Sequence, residues 1–291
     1  MTSDVRAAVF RPDDERIDAA VELLESLGAA PVPDPMLAVE PTGATPAAED
    51  WIVLTSKTGV VLADEAGWSP TDTDLACIGP ATAEAARGVG WTVDLVPEEF
   101  SSAGLVAALT DAVDTGETVE VARSDHGSAV LLDGLDEAGV AVNETVLYRL
   151  VRPDGAGAST ETAAAGELDA ALFTSSLTVE HFLDAARERG VAEAAVAGLN
   201  GELVTNDGDG SGGVGSEASG GVGSANSGDV ASDDGRTATS GGGAVVGCIG
   251  TPTAETAREH GIAVDVVPDE ATFEALACAV VETAAPSHRG E

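Results

Sequence analysis

Short apolar runs alternate along the chain with longer segments in which apolar residues recur every three or four positions. A short apolar run is typical of a buried strand, and the longer period is typical of an amphipathic helix. Residues 51–67 and 169–186 each combine an apolar run, a Thr-Ser pair and a helical period. Helical periods recur at 101–113 and 271–284. Strands that alternate with helices predict an α/β fold with parallel sheets.

One segment of the chain occurs twice. Residues 77–99 read CIGPATAEAARGVGWTVDLVPEE and residues 248–270 read CIGTPTAETAREHGIAVDVVPDE, with identity at 14 of 23 positions. Each copy follows one of the two Thr-Ser segments. The chain therefore contains two copies of one larger strand–helix arrangement.

A second, fainter repeat relates residues 7–32 to residues 119–142. In each, a strand ends at an arginine, Arg11 or Arg123, and the following helix closes at a glycine. This arginine unit precedes the rest of the repeat in one copy and follows it in the other. Permuted units of this kind predict that one domain is inserted into another.

The predicted outer domain comprises residues 1–36 plus 150–291, and the predicted inner domain comprises residues 37–149. Each is expected to hold a flavodoxin-like sheet of five parallel strands. Residues 201–243 do not fit this scheme, because they are rich in Gly, Ser and Asp and contain no aromatic residue. We expect them to form a disordered surface loop, since they can bury too little surface to offset their ordering entropy.

The charge of the chain narrows the class of partner. Fifty-one acidic residues against thirteen basic ones give a net charge of −38, and Lys57 is the only lysine. A nucleic-acid partner is excluded, because no basic surface could neutralise phosphates. Such an acidic surface resembles proteins of extreme halophiles, where molar salt reduces the screening length to about 3 Å.

The location of the protein is constrained by what the chain lacks. No apolar run is long enough to cross a bilayer, and residues 1–11 have no apolar signal core, so we expect a cytoplasmic protein without a membrane partner. The three cysteines have no metal-like spacing. Cys77 and Cys248 occupy equivalent apolar positions, and we expect them to be buried small hydrophobes in a reducing compartment. We also expect a monomer without a metal.

The candidate binding residues follow the predicted strands. In parallel α/β sheets, ligands bind beyond the carboxyl ends of the strands, where the N–H groups and dipole of a helix N-terminus favour anions. Serine, threonine and glycine at these positions cap helices or allow a close approach of the backbone, and capping alone remains an alternative role. The candidates in the four loops are Thr55, Ser56, Lys57, Gly79, Thr82, Thr174, Ser175, Gly250 and Thr253.

Three further residues are candidates for chemistry. Arg11 and Arg123 end equivalent strands and could bind an anion or neutralise neighbouring acids. Tyr148, the only tyrosine, lies where the chain crosses back to the outer domain, and could pack or donate a proton. No P-loop or dinucleotide-binding glycine motif occurs, and the four histidines are scattered. Nucleotide hydrolysis, hydride transfer and zinc chemistry are therefore disfavoured.

Together these motifs resemble the uroporphyrinogen-III synthase family. The resemblance covers nearly the whole chain apart from residues 201–243, and its elements, in order, are VFRP, LTSKTGV, CIGPATAEAARGVG, VLY, FTSSLTVEHF and CIGTPTAETAREHG. It implies two flavodoxin-like domains joined by a two-stranded β-ladder. It also implies the cyclisation of hydroxymethylbilane, a linear tetrapyrrole with eight carboxylates, with inversion of the terminal ring and loss of water.

The resemblance assigns roles as well. It implies that Tyr148 assists loss of the hydroxyl group, that main-chain N–H groups and hydroxyls of the four loops bind carboxylates, and that no cofactor takes part. Two other classes of protein remain alternatives. A non-catalytic or regulatory two-domain protein that binds an anion or small molecule would share the sheets, and a phosphosugar isomerase would share the loops.

Overall fold

The computed structural model of the protein describes residues 5–202 and 243–285. The predicted loop 201–243 lies, except for residues 201, 202 and 243, outside the described residues. The strands are, in chain order, β1 (Val5–Phe10), β2 (Ala29–Pro33), β3 (Ala38–Pro41), β4 (Trp51–Leu54), β5 (Asp74–Cys77), β6 (Thr118–Ser124), β7 (Ala141–Val151), β8 (Ala170–Phe173) and β9 (Val245–Cys248).

The helices that the structure describes include those predicted after the Thr-Ser pairs. They are α1 (Glu15–Ser26), α2 (Lys57–Glu65), α3 (Pro80–Gly88), α4 (Ser102–Ala112), α5 (Ala129–Glu137), α6 (Ala158–Ala164), α7 (Ser176–Glu188), α8 (Ala192–Asn200), α9 (Thr251–Glu259) and α10 (Phe273–Ala284). Within the described ranges, none of these helices is long and apolar enough to span a membrane.

The chain divides into two compact units. Unit 1 comprises Met1–Arg11, Glu15–Asp34 and Gly157–Glu291, and unit 2 comprises Pro12–Asp14 and Pro35–Ala156. Each unit has its own sheet and its own apolar core. The α/β class with parallel sheets that the sequence predicts is confirmed.

The sheet of unit 1 has the strand order β2-β1-β8-β9, and all of its pairs are parallel. This order matches the first four strands of the flavodoxin pattern 2-1-3-4-5. Three aromatic rings pack where β1 and β8 end. The centroid of Phe10 lies 4.5 Å from that of Phe173 and 5.3 Å from that of Phe182 on α7. This cluster supports the loops that follow β1 and β8.

The sheet of unit 2 has the strand order β3-β7-β6-β4-β5. The parallel part, β7-β6-β4-β5, repeats the flavodoxin order in permuted form, because β6 and β7 come last in the chain but take the places of β1 and β2. β3 pairs antiparallel with the end of β7, from Ala38 opposite Val151 to Pro41 opposite Tyr148. This antiparallel pair forms a two-stranded ladder at the edge of the sheet.

The prediction of five parallel strands in each sheet is wrong at the fifth position. There the described residues form a single parallel bridge, Gly247 with Val266 in unit 1 and Ala76 with Leu95 in unit 2. In each copy, an aspartate at the equivalent position accepts a hydrogen bond from a backbone N–H group of the neighbouring strand. The carboxylate of Asp94 accepts the N–H of Leu75 at 2.9 Å in unit 2.

Asp265 does the same in unit 1, accepting the N–H of Val246 at 2.8 Å. A side chain therefore occupies the place where a longer strand would pair. In both copies a proline follows two residues later along the repeat, Pro97 after Leu95 and Pro268 after Val266. Because proline has no N–H to donate, the ladder cannot continue through it.

The two equivalent cysteines are buried, as the sequence predicts. Cys77 at the end of β5 and Cys248 at the end of β9 are both inaccessible. Burial raises the pKa of the Cys77 thiol to about 11 and that of Cys248 to about 12, although Arg87 and Arg258 respectively act in the opposite direction. Both thiols are therefore unreactive apolar side chains at neutral pH.

Two glutamates on neighbouring strands of unit 2 should affect stability in opposite directions. Glu120 on β6 is 1 % exposed, and its Oε1 has no hydrogen-bond partner among the described residues. Glu144 on β7 accepts a 2.6 Å bond from Nε of the buried Arg123. We expect Glu120→Leu to raise the free energy of unfolding by about 1–3 kcal/mol, because it removes an unsatisfied buried polar group. Glu144→Leu should lower it by about 1.5–3 kcal/mol.

Urea unfolding of the two variants measures both effects. Each variant loses one negative charge through the same substitution, so each controls for the change in net charge of the other. Shifts of the same sign in both variants would contradict the expectation, because the general charge effect would then dominate.

Candidate active site

The candidate loops lie where the sequence predicts, between the carboxyl end of a strand and the first turn of a helix. Ser56 is the N-cap of α2 and accepts the N–H of Gly59 at 2.9 Å. Ser175 is the N-cap of α7, where Ser175 and Thr178 form a reciprocal capping box. The capping role considered for these serines is therefore present in both units.

Gly79 and Gly250 are the N-cap residues of α3 and α9, and both have an extended backbone. A glycine at the N-cap provides no side-chain acceptor for the first-turn N–H groups, so an anion could take that place. The two loops differ in how open they are. A Cβ atom on Gly250 would meet only Pro252 Cδ at 3.9 Å, whereas one on Gly79 would lie 3.3 Å from Phe100 Cβ.

The four threonines of the candidate loops differ in their burial and in their hydrogen bonds. Thr82 and Thr253, in the first turns of α3 and α9, are only 5 % and 4 % exposed. Thr174 donates a 2.7 Å hydrogen bond to the carbonyl of Phe10, which ties the loop after β8 to the end of β1. Thr55 is half-buried. In the described structure, Thr82 and Thr253 therefore present little of their side chains at the surface.

The three cationic candidates have different surroundings. Lys57, the first residue of α2, is exposed. The guanidinium carbon of Arg11 lies 4.4 Å from the centroid of the Phe273 ring, a cation–π contact within unit 1. Arg123 is buried, and it donates to Glu144 and, at 2.5 Å, to the carbonyl of Ser128. The geometry of Arg123 therefore favours the neutralising role that the sequence left open for it.

Tyr148 is oriented by an irregularity of β7. In a regular strand, the neighbouring side chains of Leu147 and Tyr148 would face opposite sides of the sheet. Here both side chains belong to the same core cluster between the sheet and α2. The pairing of β6 with β7 shifts between Arg123 and Ser124, so that Arg123 lies opposite Val146 and Ser124 lies opposite Tyr148. This bulge turns Tyr148 towards α2, where its hydroxyl lies 2.9 Å from Ser56 Oγ.

Asp125, which the sequence reasoning missed, holds the backbone that directly follows Tyr148. Its N–H donates to the carbonyl of Tyr148 at 3.2 Å, and its carboxylate accepts the N–H of Leu150 at 3.0 Å. Burial alone would raise the pKa of Asp125, but hydrogen bonds from His126 and from the Leu150 N–H lower it overall. The charged form that fixes the strand is thus favoured.

Phe100 was missed as well. It is 62 % exposed, lies against Gly79 and has no aromatic counterpart in the other repeat, where Ala271 takes its place. A comparison of the two repeats could have found it as an unpaired aromatic residue. Among the predicted residues, the structure brings Ser56 and Tyr148 into direct contact within unit 2.

The fold and the loops define a protein of two α/β units that presents repeated anion-favouring helix N-termini and one hydroxyl-bearing aromatic residue. Comparison with known proteins is consistent with this class and narrows it. The family model described as "Uroporphyrinogen-III synthase HemD" matches residues 18–200. The chain therefore belongs to the uroporphyrinogen-III synthase family.

Relatives and solved structures agree with this family. A protein of Methanothermobacter thermautotrophicus named "Putative uroporphyrinogen-III synthase" is 33 % identical over 198 residues, which cover 62 % of this chain and 78 % of that protein. The "Porphyrin biosynthesis protein HemD" of Ruminiclostridium josui is 29 % identical over 192 residues, covering 60 % of this chain and 38 % of that protein.

Two crystal structures share the fold across most of this chain. Mutant uroporphyrinogen III synthase from the extremely thermophilic bacterium Thermus thermophilus has a TM-score of 0.57 and 19 % identity, with coverage of 96 % of this chain and 98 % of that chain. Uroporphyrinogen-III synthetase from Helicobacter pylori has a TM-score of 0.53 and 12 % identity, with coverage of 96 % and 100 %. At these identities the similarity establishes the fold.

Proposed function

We propose that the protein is a uroporphyrinogen-III synthase, a lyase of tetrapyrrole biosynthesis that cyclises hydroxymethylbilane with inversion of the terminal pyrrole ring and loss of water. The observation that carries the proposal is the Tyr148 hydroxyl. A strand bulge turns it towards the N-terminus of α2, where it meets Ser56 at 2.9 Å. Tyr148 as a whole is 6 % exposed, and we propose that its phenol gives a proton to the departing hydroxyl group of a bound substrate.

The candidate loops suit the binding of the substrate carboxylates. The substrate carries eight carboxylates, and the first turns of α3 and α9 begin at glycines that let a carboxylate approach the backbone N–H groups. We propose that the loops at Gly79 and Gly250, together with Thr55, Thr174, Ser175 and the exposed Lys57, bind these carboxylates. Fixing the two reactive ends in one geometry is what distinguishes ring inversion from simple closure.

A product assay tests the proposal. The purified protein is incubated with freshly generated hydroxymethylbilane in molar KCl, the products are oxidised, and uroporphyrin isomers I and III are separated chromatographically. We expect isomer III in excess over a control without protein. Isomer I alone, from protein shown by circular dichroism to be folded, would overturn the proposal and favour a binding or regulatory protein of the same fold.

We further propose that the enzyme works at high salt, because its net charge of −38 opposes an eight-carboxylate substrate. The ratio kcat/KM should be low in dilute buffer and should rise in molar KCl, where the screening length falls to about 3 Å. The measurement is a salt titration of kcat/KM, with circular dichroism recorded at each concentration. Equal values at both extremes, in protein that stays folded, would contradict this expectation.

A further inference from the structure

We propose that Ser56 is a positioning residue for Tyr148: it donates its hydroxyl hydrogen to the phenol oxygen and leaves the proton of Tyr148 free for the substrate. This inference rests on the proposed function and adds a role for Ser56 other than contact with a carboxylate. Its basis is a series of two hydrogen bonds that begins at the N-terminus of α2.

The first bond occupies one of the two lone pairs of the Ser56 hydroxyl oxygen. Its oxygen accepts the N–H of Gly59 at 2.9 Å, and its single hydrogen remains to be donated. The second bond joins Ser56 Oγ to the Tyr148 hydroxyl, also at 2.9 Å, and either atom could be the donor. Within the described residues, Ser56 is the side chain that forms a hydrogen bond with the Tyr148 hydroxyl.

The direction of the second bond decides the chemistry. If Tyr148 donates, its proton is engaged in the protein and is not directed at a substrate. If Ser56 donates, the bonds run in one direction from the Gly59 N–H through Ser56 to the phenol oxygen, and each bond polarises the next. The positive end of the α2 dipole lies at the start of this series and favours negative charge on the phenol oxygen. Donation by Ser56 therefore stabilises Tyr148 as it loses its proton.

In the proposed reaction, Tyr148 gives up one proton and later regains one. The Tyr148 proton passes to the hydroxyl group of the substrate, the C–O bond breaks with its electron pair remaining on oxygen, and water leaves. The phenolate is stabilised by the hydrogen bond from Ser56. The resulting methylene cation bonds to the substituted α-carbon of the terminal pyrrole, the C–C bond from that carbon to its neighbouring methylene breaks, and this methylene bonds to the other α-carbon of the inverted ring. That α-carbon then loses its proton, and this proton restores the phenol.

The repeat shows that this arrangement is specific to unit 2. At the equivalent helix of unit 1, Ser175 pairs with Thr178, the third residue of α7, in a capping box. The third residue of α2 is Gly59, which has no side chain to complete such a box. A Cβ atom there would lie 3.3 Å from Ser56 Oγ and 3.4 Å from Leu147 Cδ1. Glycine thus keeps the space beside the Ser56 hydroxyl open, where it meets Tyr148.

A double-mutant cycle tests the inference. Ser56→Ala should lower kcat for isomer III by about 10–100-fold and change KM little, whereas Ser56→Thr, which keeps a hydroxyl, should retain most of kcat. In the Tyr148→Phe background, Ser56→Ala should cause no further loss of kcat, since Ser56 acts through Tyr148. A merely structural role would lower kcat equally in both backgrounds.

Ser101→Ala is the matched control. Ser101 caps α4 in the same unit, accepts the N–H of Gly104 at 3.0 Å and donates to Glu99. This variant should lose the same kind of cap, worth about 1 kcal/mol, and keep the kcat of the wild type. Ser56→Gly is the second variant, because glycine at an N-cap costs only a few tenths of a kcal/mol and still removes the hydroxyl.

The outcomes are distinguishable. Wild-type protein that forms no isomer III overturns the proposed function and this inference together. Wild-type protein that forms isomer III, with Ser56→Ala and Ser56→Gly as active as Ser101→Ala, overturns only the role of Ser56. Equal losses from Ser56→Ala in the wild-type and Tyr148→Phe backgrounds do the same.

Discussion

Tyr148→Phe should lower kcat for isomer III by about 10²–10⁴-fold, the range typical of a lost general acid. The ring belongs to the core cluster between the sheet and α2, and phenylalanine keeps this packing. The variant loses the bond to Ser56, so the free energy of unfolding should fall by no more than about 0.5–1.5 kcal/mol. Steady-state product analysis gives kcat, and urea unfolding gives stability.

Thr42→Val provides the control for this substitution. Thr42 donates its hydroxyl hydrogen to the carbonyl of Val146 at 2.7 Å, so the variant removes a half-buried hydroxyl group beside the same stretch of β7. It should lose stability and retain kcat. Full activity in folded Tyr148→Phe protein would remove Tyr148 from the chemistry and leave only a packing role.

Gly250→Val should raise KM by about 10–100-fold, because a side chain at this position blocks the approach of a carboxylate to the first turn of α9. The loss corresponds to one hydrogen bond to a charged group, worth about 1.5–3 kcal/mol, and each 1.4 kcal/mol changes affinity about tenfold. The fold should tolerate the change. The φ angle of Gly250 is −168°, which any residue adopts, and a Cβ atom would meet only Pro252 at 3.9 Å.

Steady-state kinetics with a thermal melt of each variant measures this effect, and Gly88→Val is the control. Gly88 ends α3, and a Cβ atom there would meet nothing within 4 Å, so its KM should equal that of the wild type. Gly79→Val is a less suitable test, because the valine side chain would also press against Phe100. An unchanged KM in folded Gly250→Val protein would show that this loop does not bind substrate.

Much of the architecture could be predicted from the sequence because its signals are local. The apolar run, Thr-Ser pair and helical period of residues 51–67 recur at 169–186, and each became a strand, a loop and a helix. The permuted position of the arginine unit, with Arg123 late in its copy, likewise indicated the permuted strand order of unit 2. Periodicity and order along the chain are sufficient for these features.

The features that the sequence did not predict depend on contacts between distant residues. No local signal marks the bulge that turns Tyr148 towards Ser56, because the bulge is a mismatch between two strands. Arg123 was a candidate anion ligand, yet its partner Glu144 lies 21 positions away and becomes its neighbour only when β6 and β7 pair. The fifth strand was overestimated because Asp94 replaces a backbone acceptor with its side chain.

The insertion of unit 2 into unit 1 sets an order for folding during synthesis. All strands of the unit 2 sheet lie between Ala38 and Val151, so this sheet can close as soon as that stretch has left the ribosome. In unit 1, Ala7 on β1 pairs with Ala170 on β8, and β8 in turn pairs with β9, which begins at Val245. Such long-range pairing has a high loop-closure cost and is slow. β1 is therefore synthesised well before β8, with which it pairs, and stays open to mispairing until β8 has been made.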